Sequence, residues 1–294
     1  MQIMSGKEVS KAVYADLQTR TEAFMQSYGY APKLAVVLVG SDPASQSYVK
    51  SKKKACLTLG FEHQDYTLAE DSTQQELLTV VRDLNADPSV HGILVQLPLP
   101  AHMDSDEIIE TIDQHKDVDG FHPMSIGKLL IGLPTFVSCT PLGVLEMLDH
   151  YKIETSGKHV VIVGRSNIVG KPLAALLMQK GRDATVTVCH SRTTDLASIT
   201  STADILIAAI GKPLFIVPSM VKEGAVVIDV GINRVEDATA KRGYRLVGDV
   251  DYDTVHPHCS FITPVPGGVG VMTIAMLMKN TLQAALLLAD KDTK

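Results

Sequence analysis

Residues 34–39 (Leu-Ala-Val-Val-Leu-Val) and 160–163 (Val-Val-Ile-Val) are apolar at every position rather than at every second one. A strand with one wet face alternates. A strand apolar throughout is covered on both faces, which calls for a parallel sheet with helices above and below it. This places the chain among α/β folds. Around the first run the pattern alternates: a strand over 33–40, a helix over 45–59 stopped by Gly60, then strand and helix again over 61–68, 73–86, 90–97 and 105–112. A second alternation passes through a strand at 159–164, a helix at 170–180 and strands at 185–190, 204–211 and 225–231. Between them, residues 114–141 carry Asp117-Val-Asp-Gly-Phe-His-Pro123, Gly127, Gly132, Pro134 and Pro141, which mark a junction and a functional loop region. With 294 residues, two domains are expected, and two domains make a cleft.

The ends read as helices. Ser5-x-x-Glu8 is a capping box ahead of Val9, Ala12, Val13 and Leu17 at helical spacing, so a helix starts near residue 6. After Pro264-Val-Pro-Gly-Gly-Val-Gly270, the residues Ile274, Leu277, Met278, Leu282 and Leu286 form one broad apolar face. Lys279, Asn280 and Gln283 interrupt that stretch, which favours a buried or amphipathic helix over a membrane span. The first residues lack the basic flank and apolar core of a secretory signal. A net charge of -6 argues against binding nucleic acid through its phosphates. Cys56, Cys139, Cys189 and Cys259 are widely spaced with no CxxC pair, so neither a disulfide framework nor a zinc site is expected, and a cytoplasmic setting is the natural reading. The histidines show no ligand spacing, and no metal is expected.

The segment Val160-Val-Ile-Val-Gly164-Arg-Ser-Asn-Ile-Val-Gly170-Lys-Pro is a strand, a glycine turn and a helix start, the arrangement that aims backbone N–H groups at a pyrophosphate. Ser166 stands where the middle glycine of GxGxxG would be, so a merely structural turn is the competing reading. The next strand ends Cys189-His190-Ser191-Arg192 without the acid that binds a ribose 2′-hydroxyl in NAD-selective folds. Arg165, Ser191 and Arg192 offer positive charge and donors to a 2′-phosphate instead, so NADP is expected; solvated surface is the alternative for each arginine.

Lys50, Lys52, Lys53 and Lys54 crowd one helix, ordinarily a solvated face. At about 100° per residue, Ser45, Tyr48, Lys52 and Cys56 share a quadrant beside Val49, whereas Lys50 and Lys54 point away. Lys52 is the inward lysine, its pKa lowered by burial, with a buried Tyr48 one turn away to stack on a flat ring. Gln96 ends the apolar strand at the edge where parallel sheets bind ligands, or else caps it. Asp117 and Asp119 read as turn carboxylates or as site residues.

Six motifs in order, Tyr48-Val-Lys-Ser-Lys52, Val95-Gln-Leu-Pro-Leu-Pro100, Lys116-Asp-Val-Asp-Gly120, Cys139-Thr-Pro-x-Gly143, Gly164-Arg-Ser-x-x-Val-Gly170 and Pro264-x-Pro-Gly-Gly-Val-Gly270, resemble those of the bifunctional methylenetetrahydrofolate dehydrogenase/methenyltetrahydrofolate cyclohydrolase family. The resemblance implies a folate-side catalytic domain over 1–138, a Rossmann-type NADP domain over 139–268 and a final helix over 269–294 packing back on the first domain. It implies that Tyr48 flanks the pterin, Lys52 is the central catalytic lysine, Gln96 orients or tunes it, and Asp119 holds the amino-pyrimidine, with Pro264 and Gly268 also on the substrate. The cofactor residues in this reading are Gly164, Arg165, Ser166, Gly170, Ser191, Arg192 and Ile232. Tetrahydrofolate one-carbon derivatives are the implied ligands and a homodimer the implied form; charge and the polar residues of the last helix separately argue against nucleic-acid and membrane partners. Two departures stand out: Val271 where the family has Pro, and Ser125 where Asn is usual, so loop shape there is expected to differ. A dehydrogenase with weak cyclohydrolase, or a silent folate- or nucleotide-binding protein, is the alternative.

Overall fold

The computed structural model describes residues 1–240 and 243–292. The chain forms two compact units, each discontinuous in sequence: Met1–Lys11 with Thr140–Thr273, and Ala12–Cys139 with Ile274–Lys294. The first strand, β1 (Gln2–Ile3), pairs in parallel with Phe261 and Ile262. That pairing takes residues 1–11 out of the 1–138 stretch expected from sequence. Helix α1 (Gly6–Tyr28) begins with half of the expected capping box. Ser5 Oγ accepts the Glu8 N–H at 3.3 Å, but the Ser5 N–H donates to the Tyr151 hydroxyl at 2.8 Å, which in turn donates to Glu8 Oε2 at 3.2 Å. The tyrosine takes over the link that Glu8 was expected to make.

In the unit of 12–139 and 274 onward, β2 (Lys33–Val39) lies between β3 and β4, all parallel. The central position explains why β2 is apolar on both faces. Helix α2 (Pro43–Leu59) starts two residues before the sequence expectation because Asp42 caps it, accepting the Ser45 N–H at 2.8 Å, and it ends at Gly60 with φ 74°. After β3 (Glu62–Leu68), α3 (Gln74–Ala86) carries a complete capping box between Thr73 and Glu76. Its Leu77, Leu78, Val81 and Leu84 pack against Ala35, Val37 and Val39 of β2 and Ile93 and Val95 of β4 (Gly92–Val95). Then come α4 (Ser105–Thr111) and α5 (Pro123–Leu130). Helix α5 lies in a stretch expected to be loop: His122 Nδ1 accepts the Met124 N–H at 3.0 Å and Pro123 takes the first helical turn, so the Gly/Pro content there starts a helix.

Helix α6 (Cys139–His150) leads into the six-stranded sheet of the other unit. Its elements are β5 (His159–Val163), α7 (Gly170–Leu177), β6 (Thr185–Cys189), α8 (Leu196–Thr200), β7 (Ile205–Ala208), β8 (Ala225–Asp229), an antiparallel pair β9 (Asn233–Glu236) and β10 (Tyr244–Val247), α9 (Tyr252–Val255) and β11 (Cys259–Ile262). The order is β6-β5-β7-β8-β11-β1, parallel throughout. The chain leaves β5 toward β6 and then crosses back to β7, so a topological switch point lies at the carboxyl end of β5, where Gly164 sits. Helix α10 spans Val269–Asp292; the last two positions of the expected 269–294 lie outside the described residues. Val269–Asp290 is long and apolar enough to cross a membrane, but 56% of its most apolar stretch is buried within the protein. Val271, in its first turn, reaches back to the Gly268 carbonyl with its N–H at 3.4 Å.

Candidate active and cofactor sites

Lys52 is 7% exposed, and its Nζ donates to Gln96 Oε1 at 2.8 Å. Gln96, just past β4, is held in that orientation because its Nε2 donates to the Leu97 carbonyl at 2.6 Å. Burial pushes the Lys52 ammonium below the ordinary lysine range, while Asp119 and Cys139 pull it back. Burial likewise raises the Asp119 carboxyl against the charge of Lys52, and raises the Cys139 thiol with help from Asp119. One cluster thus joins an amine, an amide, a carboxyl and a thiol, with Lys52 and Cys139 buried and Gln96 and Asp119 half-buried.

The helical-wheel reading is accurate for Ser45, Lys52 and Cys56, all buried, and for Lys50 and Lys54, both exposed. It fails for Tyr48, expected to be buried and found 44% exposed. Apart from Ser45, the described side chains in the first two turns of α2 are open or only half-covered, so the quadrant alone does not decide burial. The two turn carboxylates also part company. Asp117 accepts the Phe121 and His122 N–H groups at 3.2 and 2.9 Å and the Ser125 hydroxyl at 3.0 Å, a structural set of bonds. Ser125, noted as a departure, is therefore a working member of this turn. Asp119 instead belongs to the Lys52 cluster.

The sequence shows Cys139 within a motif but assigns it no role, and Asn280 reads there only as a polar break against a membrane span. Asn280 Nδ2 donates to the carbonyls of Val118 at 2.8 Å and Val137 at 3.0 Å, fixing the chain just before Asp119 and just before Cys139. The signal was present as a buried amide in an apolar helix, which must find partners.

In the other unit, Gly164 ends β5 with φ 136°, and a methyl group there would overlap the Ala209 carbonyl oxygen. A methyl on Gly170 would overlap the Gly164 carbonyl. Between them Ser166 does what the missing glycine does not: its Oγ accepts the Val169 N–H at 3.1 Å and its carbonyl the Lys171 N–H at 3.1 Å. Arg165 and Ser166 are exposed, and the amino end of α7 has no side-chain cap. Past β6, His190 shapes the next turn. Its N–H donates to Thr193 Oγ1 at 2.9 Å and its Nδ1 accepts the Arg192 N–H at 3.1 Å, leaving Ser191 and Arg192 exposed. Ile232 is 46% exposed and packs on Gly270. Gly268 is buried so closely that a methyl would overlap the Pro264 carbonyl. Among the described residues, no group of three His, Cys, Asp or Glu is placed to hold a metal.

Two family models match the chain: tetrahydrofolate dehydrogenase/cyclohydrolase, catalytic domain, over residues 4–119, and the NAD(P)-binding domain of the same family over residues 138–288. A "Bifunctional protein FolD" of Chlorobium phaeobacteroides is 58% identical, covering 97% of this chain and 98% of its own. Among solved structures, a bifunctional methylenetetrahydrofolate dehydrogenase/cyclohydrolase from Campylobacter jejuni superposes with a TM-score of 0.92 at 49% identity, covering 98% of this chain and 99% of its own. The enzyme of Trypanosoma brucei, complexed with NADP and an inhibitor, does so with a TM-score of 0.92 at 40% identity, covering 97% of both chains.

Proposed function

The chain belongs to the tetrahydrofolate dehydrogenase/cyclohydrolase family, and from that premise we propose how its own side chains carry the two reactions. The protein oxidises 5,10-methylenetetrahydrofolate to the 5,10-methenyl cation with NADP and hydrolyses the cation to 10-formyltetrahydrofolate. The observation that carries the roles is the buried Lys52 amine, 2.8 Å from Gln96 Oε1 and under the field of Asp119.

Hydrolysis needs three proton transfers, two of them at the Lys52 amine. As water adds to the methenyl carbon, the neutral Lys52 amine takes its proton; as the bond from that carbon to N5 breaks, the ammonium returns that proton to N5 while the hydroxyl proton of the adduct leaves to solvent as the formyl C=O forms, so that one proton in all is released. An amine destabilised as a cation does both at a lower pH than an ordinary lysine. Gln96 is a positioning residue here, its carbonyl aiming Nζ and favouring a donor form of the amine. Asp119 accepts the paired N–H donors of the pterin edge, and exposed Tyr48 offers a ring face for the pteridine to cover. Pro264 and Gly268 remain assigned to substrate by resemblance.

The Gly164 turn fits a nicotinamide dinucleotide: two positions admit no side chain, an uncapped helix end follows, and no carboxylate stands at the end of β6 to repel a 2′-phosphate. Bound NADP supplies the hydride acceptor. Gly164, Ser166 and Gly170 would hold its pyrophosphate, with Ile232 against the nucleotide, and Arg165, Ser191 and Arg192 its 2′-phosphate. A homodimer in the cytoplasm completes the reading; the four cysteines, all free and buried, support a reducing compartment.

Asp119→Asn should weaken tetrahydrofolate binding by about 10- to 100-fold while leaving the NADP dissociation constant unchanged, since one charge-assisted pair is spoiled. Titration calorimetry decides it, and unchanged folate affinity removes Asp119 from recognition. Arg192→Asp should raise the Michaelis constant for NADP about tenfold or more with little change for NAD. Equal effects on both cofactors would end the selectivity argument.

A further inference from the structure

Two carboxylates unused by the roles above lie buried at the carboxyl edge of the six-stranded sheet. Asp249 is 0% exposed and Asp229 is 3% exposed. Asp249 Oδ2 accepts the N–H groups of Ile210 at 2.6 Å and Gly211 at 2.9 Å, and its Oδ1 accepts Asn233 Nδ2 at 2.8 Å. Asp229 Oδ1 accepts the N–H groups of Gly231 and Asp249, and its Oδ2 that of Val250, each at 2.9 Å. The pair therefore ties together three connections: the one after β7, the one after β8 and the one after β10. Glycines make the approach possible, because a methyl on Gly231 would overlap the Asp249 carboxylate and one on Gly248 the Asp229 carboxylate.

These connections are the neighbours of the cofactor turn within the same unit. Ala209, whose carbonyl closes on Gly164, directly precedes the first amide that Asp249 holds. Ile232 stands between Gly231, anchored by Asp229, and Asn233, anchored by Asp249. Burying two carboxylates together is costly: desolvation, with the charge of Asp249, pushes Asp229 up to about 7 despite its three N–H donors. Apolar residues would fill this space with less penalty but would not fix three backbone segments against one another.

We infer that Asp249, backed by Asp229, is a positioning residue for the nicotinamide nucleotide, locking turns 210–211 and 231–233 into the wall that the cofactor meets. This rests on the reading of the Gly164 turn as the cofactor cradle, and the test separates the two. NADP and tetrahydrofolate dissociation constants and thermal midpoints are measured for the full chain and for Asp249→Ala, Asp249→Asn and Asp249→Asn/Asn233→Asp. The double variant exchanges donor and acceptor, so that the amide of residue 249 still accepts from Ile210 and Gly211 while donating to residue 233. Asp249→Ala should weaken NADP about 30-fold and Asp249→Asn about tenfold, each leaving tetrahydrofolate within about twofold, and the exchange should recover NADP to within about threefold of the parent. If Asp249→Ala does not fold, the Asn variant and the exchange carry the comparison. A parent chain that does not bind NADP overturns the cradle reading and this inference together. A parent that binds NADP, with folded variants that bind it equally well, or that lose NADP and tetrahydrofolate alike without recovery in the exchange, overturns this inference alone.

Discussion

Lys52→Met is expected to slow cyclohydrolase turnover by on the order of 10²- to 10⁴-fold while NADP binds as before. Methionine keeps most of the apolar stem and removes the only part that moves a proton. The side chain is 7% exposed, so solvent cannot easily stand in for the amine. The pH profile adds a second check. Because burial lowers the Lys52 pKa, the neutral base accumulates as pH rises through a value below the ordinary lysine range, and the parent's hydrolysis should rise with it. The sign for stability is opposite to that of a surface ion pair. A lysine less basic in the fold than in the unfolded chain lowers stability below its folded pKa, and stability recovers as pH climbs toward the unfolded value. Removing the amine relieves that penalty at neutral pH, while leaving Gln96 Oε1 without its donor costs about 1 kcal/mol. The two effects oppose, so the thermal midpoint should stay within about 4 °C of the parent. The assay is decay of methenyltetrahydrofolate without NADP; normal decay in the variant removes Lys52 from proton transfer.

Gly164→Ala should cost NADP affinity on the order of 10²-fold, as expected of about 3 kcal/mol of overlap and backbone strain at the cofactor turn. At φ 136° an L side chain is already disfavoured, and the new methyl would strike the Ala209 carbonyl, which belongs to rigid backbone at the end of β7. Gly181→Ala is the control. Its φ of 90° carries the same kind of strain, but no atom lies within 4 Å of the added carbon, so only a modest loss of stability and no change in NADP affinity are expected. NADP affinity in the parent range for Gly164→Ala would remove the glycine from the cradle.

Much of this was legible because physical pattern and position coincide. The unbroken apolar runs of β2 and β5 reported their burial on both faces, and helical spacing singled out Lys52 from a run of lysines. The strands that escaped notice were short or polar: β1 has two residues, β11 has four, and β9 begins with Asn-Arg. Such strands exist because a neighbour pairs with them, which is long-range information absent from a local window. The same limit hid α5, whose start depends on a histidine acting as a cap, and the open setting of Tyr48. Asp249 gave no sign at all, since its main-chain partners lie 38 and 39 positions away in the chain and its side-chain partner, Asn233, 16. Carboxylates in loops ordinarily mean turns, and only the folded backbone reveals which of them hold other loops in place.

Asn280 sets an order on the making of the molecule. The carbonyl of Val118 receives its amide donor from a residue 162 positions later, and that of Val137 from one 143 positions later. During synthesis the segment bearing Asp119 therefore leaves the ribosome before the residue that supports it is made, and this part of the catalytic machinery is completed by a helix translated long after it.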